Sequence, residues 1–191
     1  FIRRIMGNYH YIIAGLPDLL LDYGPQALDA ASLQKSITEM LSDEDRRIID
    51  WLDFGLNKEL ISRHFYRAAK HHSNLFIREY FTFDKCVRDA RLCWLDGLAY
   101  EGEFEEYPRL KQIFAMDNLI ERERQLDRFM WDKINEITSG ELFNINVLLG
   151  FLTKSRVVER WAQLDPESGR ALFARLVNEV RGTFKGVNYE S

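Results

Sequence analysis

Three histidines are the residues whose types and spacing come nearest to a site for metal or acid–base chemistry. His64 and His71 stand two helical turns apart, and His72 follows directly. Zinc-binding helices place two histidines four residues apart with a third ligand nearby, and the stretch HFYRAAKHH supplies neither that spacing nor a carboxylate. We therefore predict that these histidines lie on a helix surface or at a helix end. The alternative chemistry would be a helical metal-dependent hydrolase that pairs one of them with a carboxylate from elsewhere.

Acidic residues form two dense runs, at 101–106 and 121–127, which are the other candidates for a cation site. Neither run has the spacing of a calcium loop with its central glycine. In the second run the side chains at four-residue spacing predict a solvated helix face. The glycines form no phosphate-binding loop, and no G-x-S-x-G nucleophile elbow occurs. We predict that the protein is not an enzyme and has no catalytic residue, metal, cofactor or small-molecule substrate.

The composition indicates a chain that folds around an apolar core of its own. Of 191 residues, 46% are hydrophobic, which suffices for a core without disulfides or metal. The formal net charge of -4 disfavours a nucleic-acid-binding protein, whose affinity depends on clustered lysine and arginine. Cys86 and Cys93 share one face of a predicted helix, and we expect buried thiols in a reducing compartment.

The longest apolar run, from Tyr11 to Leu21, is too interrupted to cross a membrane. Gly15, Pro17 and Asp18 break it, whereas a membrane-spanning helix needs about 20 continuous apolar residues. The same breaks disfavour a signal peptide, and Met6 is the expected natural start. We predict a cytoplasmic protein.

The segment from Arg128 to Leu164 carries the clearest helical periodicity of the chain. Its apolar residues recur at three- and four-residue intervals on both sides of Thr138-Ser139-Gly140, where glycine can end a helix in the left-handed conformation. This pattern predicts two helices that are joined by a tight turn and packed antiparallel. The polar face of the second helix is the candidate partner surface, and it consists of Lys154, Arg156, Glu159 and Arg160.

The rest of the chain also favours helices, and we predict an all-α fold, a compact bundle of antiparallel helical hairpins. Residues 8–16 fit either a strand or a buried helix; we adopt the helix, with an extended N-terminal segment as the alternative. Ser32 is predicted to cap a helix that runs through Met40. Ser42, with Asp45 three residues later, is predicted to cap the next one.

The remaining helices are predicted from the same apolar periodicity. They are expected over 57–80 with a joint at Ser73-Asn74, 82–98, 109–116, 119–137 and 165–180, with an acidic loop at 100–108. The last helix would begin at an Asp165 cap followed by proline and would turn four apolar side chains inward, namely Leu172, Phe173, Leu176 and Val177. No linker divides the sequence, and we predict one helical domain over 1–191 whose ends, 1–7 and 182–191, are frayed.

Several stretches of the chain together resemble a known family. They are NYHYIIAGLPDL at 8–19, LSDEDRRIIDWL at 41–52, FIREYFTFDKCVRDARLCW at 76–94, ERERQLDRFMWDKINEIT at 121–138 and FNINVLLGFLTKSRVVERWAQLDPESGRALF at 143–173. In their order and spacing, they resemble an uncharacterised bacterial family of unknown function. That family is found mainly in Bacteroidetes and is encoded beside subunits of a V-type (archaeal-type) ATPase. Compared with the sequences of that family, this chain looks shorter near 51–60 and 94–101.

This resemblance implies a function that depends on shape. The family is distantly similar to the all-helical rotary subunit called C in archaeal-type enzymes and d in vacuolar ones, which lies between the central stalk and the membrane ring. The resemblance therefore implies a non-catalytic accessory subunit of a proton- or sodium-transporting V-type ATPase, with the other protein subunits as partners. Such a subunit would be cytoplasmic and would meet the inner membrane only through the complex. The alternative is a stand-alone helical protein that binds or regulates another protein.

Overall fold

Eight helices make up the part of the chain that the computed structural model describes, which is residues 9–21, 29–57 and 62–163. No strand occurs among these residues, and the predicted all-α class is confirmed. In chain order, the helices are α1 (9–14), α2 (Ala30–Glu39), α3 (Asp43–Leu56), α4 (Arg63–Ala69), α5 (Leu75–Leu95), α6 (Tyr107–Phe114), α7 (Leu119–Thr138) and α8 (Ile145–Ala162).

Side-chain caps fix where several helices begin. As predicted, the Ser42 hydroxyl accepts a hydrogen bond from the Asp45 N–H at 3.2 Å at the start of α3. The predicted cap at Ser32 is wrong, because α2 begins earlier, where the Asp29 carboxylate accepts from the Ser32 N–H at 2.9 Å. A carboxylate at this position satisfies an N–H that has no partner within the helix. Asn74 caps α5 in the same way, which confirms the predicted joint.

The N-terminal segment is helical over residues 9–14, so the helical interpretation is confirmed and the extended alternative is wrong for those residues. Ile12 is buried in the core. Burial and a hydrogen bond to the Asp45 carboxylate raise the pKa of Tyr9 well above its ordinary value. Helix α1 therefore packs beside the start of α3.

Helices α7 and α8 form the predicted antiparallel hairpin. Near the turn, Lys154 Nζ donates to Asn135 Oδ1 at 2.6 Å, and far from the turn, Trp161 Nε1 donates to Asp127 Oδ2 at 2.5 Å. The order of contacts along one helix is thus reversed along the other. Gly140 lies in the turn with a φ of 82°, a conformation that costs glycine little, as the sequence predicted.

Within the residues that the structure describes, two apolar clusters make up the core. The larger one joins helices α1 to α5 to parts of α7 and α8, and the smaller one lies between the C-terminal half of α5, α6 and the N-terminal half of α7. Met130 packs against both clusters, and α5 and α7 run through both. The predicted acidic loop precedes α6, and its Phe104 and Tyr100 pack against the smaller cluster. Helices α5, α7 and α8 also contact one another directly, so they form the centre of the bundle.

None of the helices in residues 9–21, 29–57 and 62–163 combines the length of a membrane span with its apolar character. The predicted last helix over 165–180 and the predicted frayed ends lie outside the described residues.

Candidate interaction surfaces

Arg156, on the polar face of α8, is tied to two other helices. Its guanidinium donates to the Asp53 carboxylate of α3 and, at 3.0 Å, to Gln34 Oε1 of α2. Gln34 also donates to Asp53 at 2.5 Å, which completes a network of three side chains. Burial raises the pKa of Asp53, although Arg156 and Gln34 act in the opposite direction. The network clamps α8 to α2 and α3.

Arg160 and Trp161, at the end of α8, both donate to the Asp127 carboxylate of α7. Asp127 is only 8% exposed, so these donors replace the hydrogen bonds to water that the carboxylate loses. Burial by itself would lower the pKa of Arg160, but the charge and the hydrogen bond of Asp127, together with Glu123 and Tyr80, outweigh burial and hold that pKa above its ordinary value. Arg160 therefore stays charged and fixes the end of α8 against α7.

Lys154 packs against the α7 side of the hairpin. Its ammonium group lies 4.9 Å from the centre of the Trp131 ring, within the range of a cation–π interaction, and donates to Asn135. Burial lowers the pKa of Lys154. The ring and the amide thus replace part of the hydration that the ammonium group loses.

Glu159 bounds a groove between α2 and α8. Its carboxylate accepts from the Ala30 N–H, the first N–H of α2, at 3.2 Å. The groove has a volume of about 750 Å³. Basic and acidic side chains line it together, namely Lys35, Arg46, Arg156, Glu39 and Glu159. Three of these charged side chains are bonded within the chain: Arg156 and Glu159 join α8 to α2, and Arg46 donates to the carbonyls at the end of α2.

All four residues of the candidate partner surface therefore contact neighbouring helices, and each is partly buried. The predicted solvated face of the second acidic run is wrong at two positions, because Asp127 is buried and Glu123 pairs with Arg91 of α5 at 3.0 Å. Sequence reasoning missed Asp127 as the acceptor for α8. The signal was its position between Leu126 and Phe129, on the apolar side of α7.

The three histidines do not converge. His64 and His71 are exposed, whereas His72 is half-buried at the joint before α5. Its Nδ1 accepts the Asn74 N–H at 3.0 Å, and its ring lies 4.9 Å from the Trp51 ring. Within the described ranges, no three His, Cys, Asp or Glu side chains come close enough together to hold a metal ion. The position of His72 indicates a structural role in shaping the joint.

This role predicts a pH-dependent stability. Burial, followed by the nearby Arg78 guanidinium, lowers the pKa of His72 below the ordinary value of 6.5. Between the two pKa values the unfolded chain binds the proton more strongly, so stability is present above pH 6.5 and is lost as the pH falls below it. We expect the midpoint of urea unfolding to decrease between about pH 7.5 and pH 5.5.

The matched variant for this prediction is His72→Asn. The side-chain oxygen of asparagine can accept the same N–H two residues later in an Asx turn, and it does not titrate in this range. We expect the variant to be less stable at neutral pH, because the Trp51 contact is lost, but to show a smaller dependence on pH. Equal pH dependence in the two proteins would contradict the assignment to His72.

Cys86 and Cys93 are free, and each is half-buried rather than fully buried as expected. Tyr100 reaches back from the loop and forms a hydrogen bond with Cys86. Burial and the neighbouring Cys86 raise the pKa of Tyr100 to about 12. Cys86 therefore joins α5 to the loop through Tyr100.

Exposed apolar side chains gather at the two ends of α7. We call Tyr11, Leu142 and Phe143 the turn-end patch; His10, the neighbour of Tyr11 in the chain, stacks on Phe143 with ring centres 4.2 Å apart. The far-end patch comprises Leu92, Leu95, Leu98 and Ile120. The 20 residues of α7 separate the patches by about 30 Å. Three other large apolar side chains, Leu20, Met40 and Phe54, are also exposed and belong to neither patch.

The comparisons identify a similarity over part of the chain. A family described as "Protein of unknown function (DUF2764)" matches residues 98–183, somewhat less than half of the sequence. The match begins just before the acidic loop and includes α6, α7 and α8. No curated protein and no solved structure matches the chain.

Proposed function

We propose that this protein is a non-catalytic accessory subunit of a V-type (archaeal-type) ATPase, a C/d-like coupler between the central stalk and the membrane ring. The proposal starts from the resemblance of the sequence to a family encoded beside such subunits. A coupler needs a body that does not deform and at least one surface for a partner. It needs no catalytic residue, because it acts by position.

The polar contacts of α8 with neighbouring helices support the first requirement, a body that does not deform. Arg156 joins α8 to α2 and α3, and Arg160 joins it to α7. Helices that are joined by several buried or partly buried polar contacts resist sliding, because a displacement would leave those groups without partners. In this proposal the four residues first considered as a partner surface stiffen the body instead.

The turn-end patch is the single observation that carries the second requirement. Tyr11 and Leu142 are 75% and 72% exposed, and Phe143, which stacks on His10, is 42% exposed. Protein interfaces concentrate apolar and aromatic side chains at their centres, whereas surfaces that face only water seldom group them. We assign this patch as the contact with a neighbouring subunit.

The experiment is an affinity purification from the native bacterium. The protein is tagged at native expression level, the membranes are gently solubilised, and the co-purifying proteins are identified and quantified. We expect ATPase subunits in fixed ratio to the tagged protein. The variant Leu142→Asp places a charge in the patch, and we expect it to lower their recovery on the order of tenfold.

The matched control is Gln112→Asp, which makes the same change of charge at an exposed position of α6. We expect it to leave the recovery unchanged. Absence of ATPase subunits from the unmodified preparation would contradict the proposal. A stable isolated monomer, together with unchanged ATPase activity after gene deletion, would favour the stand-alone binding protein.

A further inference from the structure

The outer face of α4 carries a row of basic side chains. We call this row the basic stripe; its members are all exposed, and they are Arg63, His64, Arg67, Lys70 and His71. The Lys70 N–H donates to the Tyr66 carbonyl at 3.1 Å, so the helical path continues past the end of α4. At about 100° of rotation per residue, the five positions lie within about 120° of the helix circumference. The row therefore faces one direction over a length of about 10 Å.

The lysine and the two arginines of the basic stripe form no ion pair with the described residues. None of the carboxylates in residues 9–21, 29–57 and 62–163 comes close enough to them. On α5, which packs against α4, the Asp84 carboxylate accepts from the Tyr66 hydroxyl at 2.6 Å, and the Arg88 guanidinium donates to the same hydroxyl at 3.4 Å. The charge of the stripe is thus directed outward.

The composition of this face favours a partner that is recognised by charge alone. Ala68 is the only apolar residue that is exposed between positions 62 and 71. Protein interfaces place apolar and aromatic side chains at their centres, and the basic stripe has no such centre. The surface of an anionic membrane attracts Lys and Arg side chains without any burial of apolar residues. Because the stripe is a straight row on one side of a helix, all of its members can meet one flat surface together.

We propose that the basic stripe binds the headgroups of anionic phospholipids, with α4 lying parallel to the membrane surface. The chain as a whole has a formal net charge of -4, so an anionic membrane repels it at other faces and attracts it at this one. The charge distribution therefore orients the protein on the membrane. The contact is peripheral and sensitive to salt, and it is independent of the proposed ATPase role.

Co-sedimentation of the full-length chain with vesicles tests the proposal. The purified protein is mixed at neutral pH and low salt with vesicles of phosphatidylcholine alone, or of equal parts phosphatidylcholine and phosphatidylglycerol. We expect binding to the anionic vesicles only. The binding should be lost in about 1 M sodium chloride, where the Debye length is about 3 Å. The vesicles contain no protein, so this result does not depend on whether ATPase subunits co-purify with the chain.

A triple variant locates the contact on the basic stripe. It combines Arg63→Gln, Arg67→Gln and Lys70→Gln, which remove three positive charges from exposed positions. Each Lys or Arg near an anionic membrane contributes about fivefold to binding, so we expect binding to the anionic vesicles to decrease on the order of a hundredfold.

The matched control removes the same charge from positions on three different helices. It combines Lys35→Gln, Lys111→Gln and Arg128→Gln, at exposed positions of α2, α6 and α7, and should retain most of the binding. Circular dichroism verifies that both variants fold. Equal losses for the two variants, equal binding to both kinds of vesicle, or no binding to either would overturn the proposal. Sedimentation of the protein without vesicles would assign the stripe to contacts between protein molecules and would also overturn it.

Discussion

Replacing Arg160 by methionine is expected to lower the free energy of unfolding by about 3 kcal/mol, because it leaves the buried Asp127 carboxylate without its cationic partner. Asp127 is 8% exposed, so water cannot take the place of the guanidinium. Trp161 remains as a single neutral donor at 2.5 Å. Methionine keeps most of the apolar stem of arginine, so the loss reports on the charge rather than on packing. Urea unfolding at neutral pH measures the effect.

Replacing Asp127, the other partner of this ion pair, should lower the free energy of unfolding by less. In Asp127→Asn the amide oxygen can still accept from Trp161, and Arg160, whose side chain is 40% exposed, can turn toward water. We expect a loss of about 1 kcal/mol. The control is Arg128→Met, which makes the same replacement at an exposed position of α7. We expect it to change the free energy of unfolding little. Equal losses of stability for Arg160→Met and Asp127→Asn would contradict the view that the large loss comes from leaving a buried carboxylate without a cationic partner.

Replacing Gly55 by valine is expected to destabilise the protein by about 3 kcal/mol, because the site has no room for a side chain. A Cβ at this position would lie 2.2 Å from Cζ of Phe81 and 2.5 Å from Cζ of Phe65. Both rings are buried in the larger core cluster and cannot move into solvent. Gly55→Ala should lose about 1 kcal/mol, because the better helix propensity of alanine offsets part of the crowding. Chemical denaturation compares the three proteins.

A second substitution separates crowding from other effects of the change. Phe81→Leu removes the ring atoms nearest to the new Cβ, so Gly55→Ala should cost less in that background by about 1 kcal/mol. Gly15→Ala is the control, because its nearest contacts would be 3.5 Å and 3.6 Å. We expect it to change stability by less than about 0.5 kcal/mol. A Gly55→Ala protein as stable as the parent would show that the rings can adjust.

Local chemistry was enough to predict most helices of the described residues, but the helix expected from residue 57 begins only at Arg63, where Ser62 is the cap. The apolar period of 3.6 residues identified α7 and α8, and a glycine at position 140 together with the short connection predicted their antiparallel hairpin. Ser42 was found as a cap because its pattern with Asp45 is local. The error at Ser32 arose because Asp29 and Ser32 are both capping residues, and sequence alone did not show which one forms the first turn.

The partners of the polar side chains were decided only by the tertiary structure. The spacing of Lys154, Arg156, Glu159 and Arg160 showed one helix face, but not that α2, α3 and α7 lie against it. The position of Asp127 beside Leu126 indicates the apolar side of α7, but it does not show which groups bind the carboxylate, because α8 brings Arg160 and Trp161 to it across 33 and 34 positions of sequence. The physical reason is that helix formation depends on neighbours within one or two turns, whereas burial and ion pairing depend on which distant faces meet.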